Sequence, residues 1–329
     1  MLTYTLNGYH GIILPGPDIG LDISGAQAKH VFISHAHADH LPRNRQMHVY
    51  ASPATEKLMR ERGFKGDVTT LAFGETLKLD SCHVTLYPAG HILGSAMIGI
   101  ECEEGHVLYS GDYRNPPSPV SEGFSAPEKV DYFITEATFP LPIYKWKPHE
   151  QLFEQIRTFA SEALRDGFTP IFLCYNLGKA QEVMHALSSL QQKIQIHSAG
   201  YGLSCIYRDF GFNVGDFEKY NKDTIQDGRI LVTPSSSMDQ PMVRNIKNKR
   251  VAYVSGWASH ESRRTQLTID ALIPLSDHID FFELIKLCEK LDPKMVYVTH
   301  TPNPKVVQHY LSQKGISSQP LHLEAHDEG

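Results

Sequence analysis

One short segment restricts the fold and chemistry of this chain more than any other. Residues 34–40 read Ser-His-Ala-His-Ala-Asp-His, directly after the apolar run Val31-Phe32-Ile33, which is typical of a buried strand. The segment offers four potential metal ligands: His35, His37, Asp39 and His40. Imidazole and carboxylate are ligands of borderline divalent ions such as zinc, and this packing supplies more of them than one tetrahedral site normally uses. The spacing therefore favours a pair of metal ions.

Simpler explanations of this segment fit less well. A single histidine after a strand is usually a satisfied polar residue, and a histidine-rich tract can be an expression tag or a loosely chelating segment. This segment is internal, is interrupted by alanines, and follows an apolar strand rather than a polar tail. It therefore predicts a structured metal site.

Further candidate ligands follow other apolar runs of the chain. Predicted strands at residues 84–87, 106–109 and 295–298 lead into His91, Asp112 and His300, respectively. Layered α/β folds assemble their sites at such strand ends, from segments that are distant in sequence. Each of these residues alone would more often be structural. Together with the first segment they complete a ligand set.

The ordered series of motifs resembles the metal-binding motifs of the metallo-β-lactamase fold, an αββα sandwich. The series is H-x-H-x-D-H, then G-H-x-L-G-S at residues 90–95, then S-G-D at residues 110–112, then a distant histidine. The resemblance implies that the first ion is held by His35, His37 and His91, and the second by Asp39, His40 and His300. It also implies that Asp112 bridges the two ions, and that Asp22 orients the metal loop without binding metal.

The middle of the chain indicates a second domain. Nearly two hundred residues separate Asp112 from His300. They contain an amphipathic helix predicted over Pro148 to Asp166, parallel strands predicted at Ile171–Cys174 and Arg229–Val232, and a helix predicted over Lys179 to Leu190. The sequence thus predicts an α/β protein with a metallo-β-lactamase domain at residues 1–145 and 263–329. An inserted α/β domain is predicted at residues 146–262.

Such an insertion resembles the β-CASP group, whose characterised members mostly cleave nucleic acids. Its further signatures are matched in order by Glu136, His278 and His300. The strings at residues 175–182, 255–258 and 275–278 look like the bacterial DNA-ligase-associated exonucleases, relatives of the Artemis-type repair nucleases. Glu136 and His300 also fit RNA-processing members of the group, so DNA and RNA substrates both stay open at this point.

The resemblance also implies a mechanism. Two divalent ions, Zn or Mn, activate a water molecule and neutralise the phosphate. Asp39 orients the nucleophile, His278 protonates the departing oxygen, and Glu136 accepts the other N–H of His278 and fixes its tautomer. These three residues are the expected catalytic group.

Composition limits the remaining possibilities. The chain has 329 residues, of which 41% are hydrophobic, enough for two packed domains. It contains no apolar stretch approaching about 20 residues and no secretory start, so a cytoplasmic protein is expected. The five cysteines form no C-x-x-C pair and are expected to be reduced core residues.

The charge limits how nucleic acid can be bound. A net charge of −6 is unusual for a protein that coats nucleic acid, so phosphate contacts beside the metals are expected to come from a few local residues. The candidates for substrate binding are Lys179, Tyr175, Ser235, Ser236, Trp257, Arg208, Arg263 and Arg264.

These observations give one main hypothesis and three alternatives. The main hypothesis is a binuclear metal-dependent phosphodiesterase, a DNA exonuclease of 5′ polarity that acts in DNA repair with a DNA ligase and other repair proteins as partners. The first alternative is an RNA-processing nuclease of the same fold. The second is a small-molecule ester or lactam hydrolase, which has no reason to carry the insertion. The third, an inactive scaffold, is disfavoured because every ligand is intact.

Overall fold

The chain divides into two units. The computed structural model describes residues 2–7, 11–25, 27–259 and 269–321. Unit 2 consists of residues 146–277, and unit 1 contains the described residues on either side of it. The sequence predicts an insertion that ends at residue 262, whereas unit 2 runs on to residue 277. The reason is that a short strand at Ala271–Ile273 pairs in parallel with a strand of the unit 2 sheet.

Unit 1 contains two sheets, one of six strands and one of seven strands. The first has the order β1 (Thr5–Asn7), β2 (Gly11–Leu14), β3 (Ile19–Leu21), β4 (His30–Phe32), β5 (Val49–Ala51), β6 (Val68–Thr70). The second has the order β19 (Ser318–Pro320), β18 (Met295–Thr299), β11 (Tyr132–Glu136), β10 (Gly105–Tyr109), β9 (Ala96–Cys102), β8 (Cys82–Pro88), β7 (Thr76–Lys78).

The two sheets pack against each other. One core cluster joins Ile12 and Phe32 of the first sheet to Val84, Ile98 and Ile100 of the second. On β8, Val84 and Leu86 are buried while His83 is exposed, the two-residue period of a strand with one face in the core. The two sheets therefore share one apolar layer.

Helices complete the αββα arrangement. The unit 1 helices are α1 (Pro53–Glu61), α6 (Phe281–Leu291) and α7 (Pro304–Gln313). Buried Leu284 and Cys288 of α6 and Leu311 of α7 lie in a second core cluster with Phe133 of β11. The fold class predicted from the sequence is confirmed.

Unit 2 is built on a parallel sheet. Its strand order is β14 (Phe217–Lys219), β13 (Ile194–Ile196), β15 (Ile230–Thr233), β12 (Thr169–Leu173), β16 (Lys249–Val254), β17 (Ala271–Ile273). Its helices are α2 (His149–Arg165), α3 (Lys179–Leu187), α4 (Ser198–Asp209) and α5 (Pro241–Arg244). Every strand pair is parallel, and β12 and β15 are buried along their whole length, as in sheets covered on both faces.

The remaining global predictions concern membranes and cysteines. Within the described ranges, no helix combines the length and the apolar character needed to cross a membrane. All five cysteines are free; Cys82, Cys174 and Cys288 are buried, and Cys102 and Cys205 are half-buried.

Candidate metal centre

The strand ends of unit 1 bring the predicted ligands to one edge. Strands β8, β10, β11 and β18 all run in the same direction, because β8 and β10 are each antiparallel to β9, while β10, β11 and β18 are mutually parallel. Their carboxyl ends lead to His91, Asp112, Glu136 and His300, respectively. The His-rich segment follows β4 of the facing sheet. Residues far apart in sequence thus meet at one site.

Four of these residues form a tight group. One ligand atom from each of His35, His37, His91 and Asp112 lies within 4.8 Å of the others, and all four side chains are buried. His37 Nδ1 is 3.1 Å from His91 Nε2. Asp112 Oδ2 is 3.5 Å from His35 Nε2 and 3.8 Å from His91 Nε2. This donor set is that of a zinc-type ion.

The contacts of the group fit a divalent cation. His35 Nε2 is buried and has no hydrogen-bond partner among the described residues. Leaving such an atom unsatisfied is costly, and a cation removes the cost. Two nitrogens bound to one tetrahedral zinc ion lie about 3.3 Å apart, given Zn–N bonds of about 2.0–2.1 Å. The 3.1 Å separation of His37 Nδ1 and His91 Nε2 is close to that spacing.

The second predicted ligand set converges less tightly. His40 Nε2 is 3.5 Å from Asp112 Oδ2 and 3.7 Å from Asp39 Oδ2. The rings of His40 and His300 are 5.6 Å apart. Asp39 and His300 therefore lie near His40, which contacts Asp112, but these three residues do not join the group of four.

The Asp22 carboxylate makes several hydrogen bonds to the His-rich segment and its surroundings. Its Oδ1 accepts the Ser34 N–H at 2.7 Å, and its Oδ2 accepts the Ser34 hydroxyl at 2.6 Å. Oδ2 is also 2.7 Å from His40 Nδ1 and 2.9 Å from the Tyr109 hydroxyl. When His40 donates from Nδ1, its Nε2 is left to bind a metal. These contacts are those expected of a residue that orients the loop.

Burial and neighbouring charges both shift the pKa values of the central residues. Burial lowers the pKa of His35 well below its usual value, and the neighbouring His40 adds to this effect. Burial also acts to lower the pKa of His40, but the carboxylates of Asp112, Asp39 and Asp22 together raise it well above its usual value. Burial acts to raise the pKa of Asp112, yet His40 holds it well below its usual range. The pKa shifts of His40 and Asp112 both follow from the close approach of His40 to the carboxylates of the centre.

A histidine–carboxylate pair lies beside the ligand group. Glu136 is fully buried, and its Oε1 is 2.9 Å from His278 Nδ1. The Glu136 carboxylate also accepts the Tyr113 N–H at 3.2 Å, and the N–H and hydroxyl of Thr138 at 3.1 and 2.5 Å. The rings of His278 and His91 are 4.8 Å apart. Ligand atoms of Asp112, Glu136 and His278 also lie within 4.8 Å of one another, so the pair directly adjoins the proposed metal site.

Comparison with known proteins gives relatives for most of the chain. No protein-family model matches it. A probable DNA ligase of Opitutus terrae is 34% identical over 294 residues, which cover 88% of this chain and 28% of the ligase. A ribonuclease of Thermus thermophilus is 28% identical over 48% of this chain and 42% of its own length. An endoribonuclease of Emericella nidulans is 30% identical over 40% of this chain and 16% of its own length. The chain thus spans less than half of each of these proteins, and the relatives include metallo-β-lactamase/β-CASP nucleases.

The chain is similar to nucleases of the β-CASP group of the metallo-β-lactamase fold. The metal ions that this similarity implies agree with the donor group formed by His35, His37, His91 and Asp112.

Several predicted substrate residues lie at one edge of the unit 2 sheet. Tyr175 follows β12, Ser235 and Ser236 follow β15, and Trp257 follows β16. These three strands are adjacent and parallel, so their carboxyl ends share an edge, where open α/β sheets usually bind ligands. Ser236 is exposed, and the other three are half-buried.

The basic candidates have different surroundings. Lys179 is buried, and its Nζ is 2.7 Å from Asp277 Oδ1, so the ammonium group is neutralised within unit 2 and does not face solvent as a phosphate contact would. Arg208 on α4 lies over the ring of Phe217 at 5.3 Å. Arg263 and Arg264 lie outside the described residues.

Some contributing residues were not predicted from the sequence. Ser34, Tyr109, Tyr113 and Thr138 bind Asp22 or Glu136 directly. Ser34 and Tyr109 each stand next to a motif, and Thr138 is two residues after Glu136. The sequence signal for Ser34, Tyr109 and Thr138 was their closeness to a motif or to Glu136. The hydrogen-bond partners of these residues depend on tertiary contacts, which the sequence does not show.

Proposed function

We propose that this protein is a nuclease that uses two divalent ions, Zn or Mn, to hydrolyse phosphodiester bonds. The observation that carries the proposal is the adjacency of the four-ligand group and the His278–Glu136 pair. A metal site alone fits many hydrolases. A buried acid–base pair beside it fits a reaction in which an alkoxide leaving group needs a proton.

The proposed ligands divide into two sets that share Asp112. His35, His37 and His91 would hold one ion, Asp39, His40 and His300 would hold the other, and Asp112 would bridge them. When bound, such ions supply Lewis acidity toward the phosphate and a water of lowered pKa. Asp22 fixes the ring of His40 by its hydrogen bond to Nδ1. The Asp39 side chain is 27% exposed and can accept a hydrogen bond from the attacking water.

His278 is the proposed general acid. Its Nδ1–H donates to Glu136, which holds the ring in one orientation and leaves Nε2 to carry the proton for the leaving oxygen. Glu136 is itself fixed by Tyr113 and Thr138. After cleavage, solvent returns a proton to Nε2.

DNA is the favoured substrate. The relative named a probable DNA ligase matches 88% of this chain. The two relatives named as ribonucleases each match less than half of it. We therefore infer a DNA exonuclease, of 5′ polarity, that acts in DNA repair beside a DNA ligase. Tyr175, Ser235, Ser236 and Trp257 would contact the strand from unit 2, with Arg264 as a further candidate. A cytoplasmic location stays a prediction.

An RNA-processing nuclease is the second candidate, because those more distant relatives are ribonucleases. End-labelled single strands of DNA and RNA, each labelled at the 5′ or the 3′ end, separate the two candidates when incubated with Mn²⁺ or Zn²⁺. The proposal expects DNA to be consumed faster than RNA, with mononucleotides released first from 5′-labelled DNA. Preferential cleavage of RNA, or internal cuts without end-dependent products, would contradict it.

A further inference from the structure

An exposed aromatic and basic patch lies on unit 1 outside the metal centre. Large hydrophobic side chains are exposed at four described positions, and two of them are Ile143 (68%) and Phe282 (46%). The Phe281 N–H donates to the Tyr144 carbonyl at 3.3 Å, which brings together the two chain segments that carry these side chains. The surface formed by Ile143, Lys145, Phe282 and Lys286 is named the Phe282 platform below.

Two lysines flank the aromatic ring of the platform. Lys145 Nζ lies 5.8 Å from the centre of the Phe282 ring, and Lys145 has no ion-pair partner among the residues that the structure describes. Lys286 follows Phe282 by one helical turn on α6, so the two side chains share a face. Lys286 Nζ is 3.4 Å from Glu283 but is 73% exposed, and such a surface pair is weak enough for a phosphate to replace it.

The platform is connected by packed rings to the proposed acid. Phe139 lies 6.1 Å from the His278 ring and 4.9 Å from the Tyr144 ring, centre to centre. The Tyr144 carbonyl then accepts the N–H of Phe281, whose ring is 5.4 Å from that of Phe282. Helix α6 begins at Phe281, three residues after His278, and is capped by Asp280, which accepts the Glu283 N–H at 2.9 Å. A continuous series of packed residues within unit 1 therefore links the platform to His278.

We propose that the Phe282 platform binds a single-stranded segment of nucleic acid that continues from the scissile phosphate. A base stacks on the Phe282 ring, Ile143 adds apolar contact, and Lys145 and Lys286 bind the phosphates on either side of that base. Charge complementarity favours this occupant: the chain carries a net charge of −6, yet the platform presents two exposed cations around one exposed ring. The inference rests on the proposed nuclease function and adds to it a strand-binding surface in unit 1.

Binding and catalysis can be tested separately. Affinity is measured by fluorescence anisotropy of a labelled single-stranded oligonucleotide, over a series of salt concentrations, with full-length wild type and with Phe282→Ala, Phe282→Trp, Lys145→Gln and Lys286→Gln. The matched control is Lys57→Gln, since Lys57 is also exposed on a helix and lies 3.4 Å from a glutamate. Hydrolysis of a nitrophenyl phosphodiester, which is too small to reach the platform, reports on the metal centre alone.

The proposal expects Phe282→Ala to weaken oligonucleotide binding about five-fold or more, and Phe282→Trp to keep wild-type affinity, because tryptophan also stacks on a base. Each lysine variant should reduce the slope of log affinity against log salt by about 0.7, the value for one phosphate contact on a single strand. The Lys57→Gln slope should not change. All variants should hydrolyse the small diester at the wild-type rate.

The measurements distinguish failure of the platform from failure of the nuclease function. Wild-type affinity and salt slope in the Phe282→Ala, Lys145→Gln and Lys286→Gln proteins would overturn the platform and assign the patch to a protein partner instead. Absence of strand binding by the wild type would also overturn it. Loss of binding in these variants, in a protein that hydrolyses neither DNA nor the small diester, would support the platform and contradict the nuclease function.

Discussion

Asp112 lies where the two proposed ligand sets meet. Its Oδ2 is 3.5 Å from Nε2 of both His35 and His40, one histidine from each set. The pKa of Asp112 is held well below its usual range, chiefly by His40 against the opposing effect of burial, and an anionic carboxylate favours binding of cations. In the proposed centre, Asp112 would bridge the two ions.

Replacing Asp112 by Ala should lower the content of both metals together with nuclease activity. His37→Ala should reduce metal content as well, because it removes one ligand of the tight group. Elemental analysis of the purified variants measures the change. Asp80→Ala, at a carboxylate whose side chain is 93% exposed, is the control and should keep the wild-type content. Two full equivalents of metal in Asp112→Ala would remove the bridging role.

His278 should act in proton transfer and not in metal binding. Its Nδ1 is engaged with Glu136, and seven other residues are available as ligands. His278→Ala should keep both metals and lose about 10²–10⁴-fold in turnover of natural phosphodiesters. The loss should shrink on a nitrophenyl phosphodiester, whose leaving group needs no proton. Equal losses on the two substrates, or a missing metal, would be incompatible with this role.

The buried thiols should be unreactive near neutral pH. Burial raises the pKa of Cys174 to about 12 and raises that of Cys288 still further. Because the thiolate is the nucleophile, both residues stay protonated and inert well above pH 8 in the folded protein. Labelling with a thiol reagent, followed by mass mapping, should find Cys205 modified while Cys174 and Cys288 react only in denaturant. Rapid labelling of Cys174 in the native protein would be inconsistent with its burial.

At the scale of elements, helix α3 begins with a buried ion pair. Lys179 is the first residue of α3, and its Nζ contacts Asp277, the last residue of unit 2. Breaking a buried pair leaves one charge without a partner, which typically costs about 3–5 kcal/mol. An exposed pair at the same distance contributes at most about 1 kcal/mol.

Lys179→Met should therefore destabilise the protein by about 3–5 kcal/mol, and the double variant Lys179→Met/Asp277→Leu should recover much of that loss. Urea unfolding gives the free energies. The control is Lys193→Met, because Lys193 makes a contact of the same 2.7 Å length to Asp216, whose side chain is 71% exposed. Equal effects of Lys179→Met and Lys193→Met would show that burial of the first pair does not matter.

Elements with strong local patterns were predicted well. The amphipathic helix expected at residues 148–166 is α2, His149–Arg165, and the parallel strands expected around Ile171 and Ile230 are β12 and β15. The helix expected to reach Leu190 ends as an α-helix at Leu187, because residues 188–190 tighten into a 3₁₀ turn. Hydrophobic period and flanking glycines carry this information locally.

What the sequence missed depends on long-range contacts. Strand β17 has only three residues and no distinctive pattern, so its pairing with β16, which extends unit 2 to residue 277, was not visible. Lys179 was a candidate phosphate contact, but its partner lies far along the chain at Asp277. The metal ligands were recognisable as motifs. That His35, His37 and His91 form a tight group with Asp112, while the second ligand set does not, became visible only in the packed structure.

At the scale of the whole molecule, the proposed function requires metal-dependent cleavage of nucleic acid by the centre in unit 1. The fold places four ligands within 4.8 Å of one another and a histidine–carboxylate pair beside them. Metal binding should therefore determine activity: a folded but metal-free chain retains the acid and its carboxylate partner but lacks the Lewis acid.

The most direct test is a titration of chelator-treated protein with Mn²⁺ or Zn²⁺. Bound metal per chain and the rate of single-stranded DNA hydrolysis are measured in the same samples. We expect no hydrolysis without metal and a rate that rises as the content approaches two ions per chain. Full activity in the metal-free protein, or two bound ions without cleavage of either DNA or RNA, would contradict it.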